Sequence, residues 1–194
     1  MDRRTMLLLA PATVLGTGLA GAAAWLAVDK DQGVGAIGGP FRLVAGDGRE
    51  VTDAEFRGRL MVIYFGYTSC PDACPTALQD IANAVDMLGK DTWRKVAVLF
   101  ITLDPERDTP DKVRDYASAF DPAITGLSGT PEQIAAVAKA YRVYYAKHPK
   151  AGDDYDVDHS SIIYVMDGRG RFVANFTHET APEVIAARLR TLLS

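Results

Sequence analysis

The chain has little with which to cross-link itself. It holds two cysteines, Cys70 and Cys74, in 194 residues. That excludes the dense disulfide framework of a small secreted scaffold. A chain this long buries enough apolar surface to fold without one. Histidine is also scarce, with three residues, so a metal site that uses imidazole has few choices. A basic excess is missing too, since the formal net charge is -4. This argues against nucleic acid as a partner, because no basic face of the needed size is on offer. Internal repeats and low-complexity tracts are absent, which excludes a repeat architecture. What remains, 48% hydrophobic and 24% charged, is the composition of an ordinary globular protein.

Charge is missing altogether from residue 5 to residue 28. As a helix rising about 1.5 Å per residue, that stretch matches the roughly 30 Å hydrocarbon core of a bilayer. Arg3 and Arg4 precede it and would stay on the cytoplasmic side. Residues 1–29 are therefore expected to be an uncleaved membrane anchor. A signal peptide cleaved among the small residues 20–24 is the alternative. The run Arg3-Arg4-Thr5-Met6-Leu7 also loosely fits a twin-arginine signal. No cysteine lies near the end of the segment, which excludes a lipid-modified N-terminal cysteine. Either way the rest of the chain is exported. Residues 30–40, rich in glycine, read as a flexible linker. The functional domain is expected over residues 41–194. It keeps the whole negative charge, because Asp2 and Asp29 cancel Arg3 and Arg4.

The order of elements follows from periodicity and turn chemistry. Residues 41–51 read as a hairpin about Gly46-Asp47-Gly48. The runs LMVIYFGY (60–67) and KVAVLFITLD (95–104) are continuous and apolar, the pattern of buried central strands. Between them Leu78, Ile81, Val85 and Leu88 recur at helical spacing, from Pro75 in the first turn to a stop at Gly89. Thr109-Pro110 opens a helix through Phe120. Thr130-Pro131-Glu132-Gln133 and Thr180-Ala181-Pro182-Glu183 read as capping boxes for two more helices. Residues 143–147 are a short strand, 151–158 a charged loop, and 160–176 a hairpin about Asp167-Gly168-Arg169-Gly170. The class is α/β: an N-terminal β-hairpin, then a central mixed sheet flanked by helices. A closing antiparallel hairpin followed by a helix is the order of a thioredoxin-like fold.

GYTSCPDACP (66–75) places Cys70 after a strand and Cys74 at the start of a helix. A helix N-terminus lowers thiol pKa and favours the thiolate, which is both nucleophile and metal ligand. Residues four apart on a helix have β-carbons about 5–6 Å apart, while a disulfide wants about 3.8 Å. A structural disulfide, a redox pair and a metal site all remain open. The disulfide explains least, because closing so short a loop removes little chain entropy. For a metal a third ligand is needed. His148 sits in an exposed-looking loop and His178 before the last helix, and both read as solvated. His159 sits where the charged loop enters a strand, with Asp158 and Asp156 placed to orient its ring. Two thiolates and one imidazole are a soft, low-coordinate set that suits Cu(I). Structural zinc normally takes four protein ligands, and no fourth is evident.

These segments resemble the Sco/SenC family. GYTSCPDACP matches its copper-binding segment, TLDPERDTPDKV (102–113) its second signature, and DHSSIIYVMDGRG (158–170) its third. The third departs from the family pattern only in a turn, where MDGRG replaces an Asp-Pro sequence. The resemblance covers residues 40–194. It implies a thioredoxin-like domain tethered to the bacterial inner membrane and facing the periplasm or the outside. It implies copper ligation by Cys70, Cys74 and His159; Asp158, from its place beside the histidine, is expected behind that ligand. The expected role is assembly of the binuclear copper site of cytochrome c oxidase subunit II, with copper taken from an upstream periplasmic donor. Such a protein is not an enzyme in the turnover sense. A thiol–disulfide reductase that keeps the target's cysteines reduced is the alternative, and a thiol peroxidase ranks last. Asp104, Arg107 and Asp108 are expected to stabilise the loop after the second buried strand. The acidic stretch from Asp153 to Asp158 is a solvated loop or an attractor of cations.

Overall fold

The computed structural model describes residues 36–150 and 154–194. The expected anchor or signal at 1–29, most of the glycine-rich stretch after it, and residues 151–153 of the charged loop lie outside the described residues. Among the described residues, no helix is long and apolar enough to cross a membrane.

Two apolar runs form the centre. They are β3 (Leu60–Gly66) and β4 (Val96–Thr102), paired in parallel from Leu60 opposite Val96 to Gly66 opposite Thr102. Every residue of both is buried. Unbroken burial follows from alternation, since successive side chains enter opposite layers and both layers are dry. Val62, Tyr64, Val98 and Phe100 face one core. Ile63, Phe65, Leu99 and Ile101 face the other.

The hairpin expected near the start is β1 (Arg42–Ala45) with β2 (Glu50–Thr52), Leu43 opposite Val51. The closing hairpin is β8 (Ile162–Met166) with β9 (Phe172–Thr177), and β8 runs antiparallel to β3. One layer of helices comprises α1 (Ala73–Asp86), α2 (Pro110–Ser118) and α4 (Pro182–Leu193), packed through Ile81, Val113 and Leu189. On the opposite face α3 (Pro131–Ala140) packs through Ile134 and Val137. Its capping box is made: the Gln133 amide donates to Thr130 Oγ1, and the Thr130 amide donates to Gln133 Oε1. With β5 (Thr125–Ser128) the sheet has seven strands in the order β2-β1-β5-β4-β3-β8-β9. This is a thioredoxin-like mixed sheet between helices.

Three details depart from expectation. The strand β5 was not foreseen: it is four residues long and contains Gly126, too short and too irregular for a periodicity to register. It nevertheless joins the first hairpin to the centre, antiparallel to β1 and parallel to β4. The charged loop at 151–158 is, from Tyr155 on, a strand, β7 (Tyr155–His159). It pairs with β6 (Tyr145–Pro149) in a separate two-stranded ribbon, Tyr145 opposite His159. Tyr155, Val157 and His159 share one face, and Asp156 and Asp158 take the other. The last helix lacks its expected capping box. Ala181 is the N-cap, and the Thr180 hydroxyl accepts the Thr177 amide instead.

The ribbon is launched by a tight helix end. Arg142 has a φ of 57°. The Val143 amide reaches the Ala138 carbonyl and the Arg142 amide that of Lys139. This is a Schellman arrangement with arginine where glycine is usual.

Gly126 sets how closely α2 approaches the sheet. A β-carbon there would lie 2.5 Å from the Val113 carbonyl oxygen and 2.9 Å from the Arg114 nitrogen, both backbone atoms that cannot swing aside. Gly126→Ala should therefore cost about 1–3 kcal/mol, the range for forced overpacking. A urea unfolding midpoint equal to that of the parent protein would contradict this packing.

Candidate metal centre

The parallel strands β3 and β4 end side by side, and the chain's sulfur chemistry sits at that end. After Gly66 a turn closes with the Cys70 amide donating to the Tyr67 carbonyl. The helix α1 then begins at Ala73. Pro75 occupies its first turn, where no intrahelical amide bond is needed. The Asp72 side chain makes no cap bond. In its place the Cys74 amide donates to Cys70 Sγ at 3.4 Å. One cysteine thus sits at the mouth of the helix and receives its free N–H groups. The other, Cys74, points inward and is fully buried, whereas Cys70 is half-buried. Gly66 makes room for this inward turn: a β-carbon there would lie 2.5 Å from Cys74 Sγ.

His159 arrives from the far side, at the end of β7. Its Nε2 is 3.5 Å from Cys74 Sγ. Its Nδ1 faces the Ser160 carbonyl at 3.3 Å, a contact that fits an Nδ1–H and aims Nε2 at the sulfurs. The edges of Tyr64 and Tyr67 confine the ring, with centroids 6.1 and 5.9 Å away. The two sulfurs and the ring nitrogen all lie within 4.8 Å of one another. Among the described residues no other group of three or more His, Cys, Asp or Glu side chains converges in this way.

The two thiols are electrically unlike. The Cys70 thiol is pulled down to about 3, first by the hydrogen bond from the Cys74 side chain, and then by His159 and the amides of Asp72 and Cys74; burial opposes this. Cys74 is pushed upward by the same shared proton, by burial and by the Cys70 charge. The pair is one thiolate and one thiol sharing a proton. An ion binding both sulfurs must expel that proton.

Asp158 does not stand behind His159. Neighbouring residues of a strand point to opposite faces, and the Asp158 carboxylate is exposed and bonded to His148 Nε2 at 2.9 Å. Asp156 likewise turns outward to Lys150. His148 is exposed on β6, and His178 ties its backbone amide to Ser161.

The residues that hold the site together come from the second sequence motif. Asp104 and Asp108 are buried at 0% and 1% exposure. The Asp104 carbonyl accepts the amides of both Arg107 and Asp108, so the turn is one unit. Asp108 accepts from the Thr102 hydroxyl, the Thr68 hydroxyl and the Thr68 amide, which pins the cysteine loop to the end of β4. Asp104 accepts from Arg107 Nε and from the Tyr155 hydroxyl at 2.5 Å. The Arg107 guanidinium lies 3.7 Å over the Tyr155 ring and donates to the Tyr155 carbonyl. Lys147 bonds Glu106 from the other strand of the ribbon. Thr68, Tyr155 and Lys147 escaped the sequence reading. The alternation Tyr155-Asp156-Val157-Asp158-His159 was the signal that could have found Tyr155.

A thioredoxin-like domain with a C-x-x-x-C pair at a helix mouth and a distant histidine is the class that fold and site define. A family model described as SCO1/SenC matches residues 29–194. The chain belongs to that family. It is 45% identical over 141 residues to Protein SCO1 homolog 1, mitochondrial, of Arabidopsis thaliana, covering 73% of this chain and 42% of that protein. It is 41% identical over 157 residues to Protein SCO1 homolog, mitochondrial, of Homo sapiens, covering 80% and 52%. The chain thus spans about half the length of these relatives. Among solved structures, ScoI of Bradyrhizobium japonicum with copper bound is similar at a TM-score of 0.75 and 48% identity, covering 81% of this chain and 99% of that one.

In reduced, metal-free protein, iodoacetamide should modify Cys70 before Cys74, as mapped by peptide mass. At pH 6 the Cys70 rate should stay near its pH 8 value, whereas an ordinary thiol slows roughly a hundredfold over that interval. Cys74→Ala removes the S–H donor and should make the Cys70 rate fall more steeply between pH 8 and pH 6. Modification led by Cys74 would overturn this assignment.

Proposed function

We propose that the domain, residues 41–194, binds one copper ion through Cys70, Cys74 and His159 and delivers it during assembly of cytochrome c oxidase. The observation that carries this reading is the convergence of two sulfurs and one ring nitrogen within 4.8 Å. Such a set is soft and below full coordination, which suits Cu(I) and leaves a position for an incoming ligand. Copper is cargo here, so an incomplete shell is an asset to transfer. Two facts about relatives support the reading. The Bradyrhizobium and Arabidopsis ScoI structures are described as having copper bound. The family is linked to cytochrome c oxidase assembly. The finer target is the binuclear copper site of subunit II, loaded from a periplasmic donor. Residues 1–29 tether the domain to the bacterial inner membrane, on its outer side.

This chain's own residues do the following. The Cys74 side chain, helped by His159 and the amides at the helix mouth, keeps Cys70 ionised and ready. Cys74 surrenders the shared proton when the ion arrives. The Ser160 carbonyl holds Nδ1 so that Nε2 faces the sulfurs. Tyr64 and Tyr67 confine the ring by edge contacts.

A second reading is favoured by the asymmetry of the two thiols. A half-buried thiolate at Cys70 can attack a target disulfide, forming a mixed disulfide and releasing one target thiolate. Cys74 then gives up its proton and attacks Cys70 Sγ, forming the Cys70–Cys74 disulfide and releasing the second target thiol. The two electrons gained by the target come from the cysteine pair.

Anaerobic copper titration of the reduced domain separates the two. One ion per chain should bind tightly. Cys70→Ser, Cys74→Ser and His159→Ala should each weaken it by more than the 10–100-fold typical of losing an outer partner of a metal ligand. His159→Ala should keep reductase activity toward a disulfide peptide. Stoichiometric binding that survives His159→Ala, or no binding at all, sinks the copper site as drawn.

A further inference from the structure

Resting on that copper reading, we propose that Tyr155 is a positioning residue for His159, clamped by Asp104, Arg107 and Lys147 so that the turn at residues 104–108 sets the gap between the two ligand-bearing arms. The three candidate ligands come from two pieces of chain with no covalent reason to stay in register. Cys70 and Cys74 are four residues apart, and His159 is 85 residues from Cys74. Its ribbon is not part of the main sheet. On its C-terminal side His159 is tied to the sheet through β8, whose ladder with β3 sets Ile163 opposite Tyr64; on its N-terminal side no ladder joins the ribbon to the sheet, and side chains must hold it.

The observed contacts have this form. Four residues before His159, Tyr155 directs its hydroxyl to buried Asp104 at 2.5 Å. Arg107 covers the Tyr155 ring and also bonds the Tyr155 carbonyl, so side chain and backbone are both held. Lys147, on the partner strand, lies 4.7 Å from the same ring. The other end of the turn, Asp108, grips Thr68, two residues before Cys70. A single turn thus takes one arm by Asp104 and the other by Asp108. The strand is short and extended, so a shift at Tyr155 is transmitted to His159 on the same face.

Tyr155→Phe removes only the hydroxyl and keeps the ring under Arg107. It should weaken copper binding about 10–100-fold, the usual cost of losing a residue that orients a metal ligand. In a His159→Ala background the same change should have no effect, because there is no ring left to position. In the His159→Ala background Tyr155→Phe should leave the Cys70 alkylation rate where it was. Thr68→Val should act differently, through the cysteine loop, and so should weaken copper binding in both backgrounds. In metal-free protein, the nuclear Overhauser contact between the His159 ring and the Cys74 β-protons should be present in the parent and lost in Tyr155→Phe. Equal losses with and without His159, or an intact contact in Tyr155→Phe, would overturn the clamp. If the parent takes no copper, the metal reading fails by itself, and the metal-free contact still decides whether Tyr155 positions His159.

Discussion

Two carboxylates with no access to water govern this site. Asp104 and Asp108 stand where β4 leaves the sheet, and each must find its hydrogen bonds inside the protein. Each finds them on a different neighbour: Asp108 on the loop that follows β3, Asp104 on the ribbon that bears His159. A buried charge deprived of its partners is costly, of order 3–5 kcal/mol. The two arms are therefore held where they are by the same demand that keeps the turn itself folded. The sheet supplies the platform, since parallel strands end side by side and open their loops in one place.

On that platform the cysteine pair acquires its asymmetry from geometry alone. One sulfur lies at the helix mouth and collects a backbone N–H. The other is turned into the space that Gly66 leaves vacant, beneath the histidine ring. Identical side chains four residues apart thus hold one proton between them and present different faces to solvent. Redox chemistry and metal chemistry draw on the same arrangement, because each needs a thiolate with a second sulfur in reach.

Much of this could be read in the chain, and the reasons are physical. The strands at 60–66 and 96–102 are legible because two-sided burial leaves an unbroken apolar run. Cys70, Cys74 and His159 stand out because their residue types are scarce. The box at Thr130 and Gln133 is local, so spacing alone reveals it. What stayed hidden was of two kinds. A short strand such as β5 owes its existence to neighbours rather than to its own periodicity, and the five-residue alternation of β7 was masked by its acidic residues. Long-range polar contacts carry no local trace: Thr68 meets Asp108 across 40 residues and Tyr155 meets Asp104 across 51. Asp158 misled by adjacency, since the next residue in a strand is the one that points away.

The graded burial of the three donors gives the pocket a direction. Cys74 has no exposed surface, while Cys70 and His159 are each partly open to solvent. Under the proposed copper reading, an incoming ligand would meet Cys70 and His159 first, and the sulfur that the sheet itself encloses would be the last to let go.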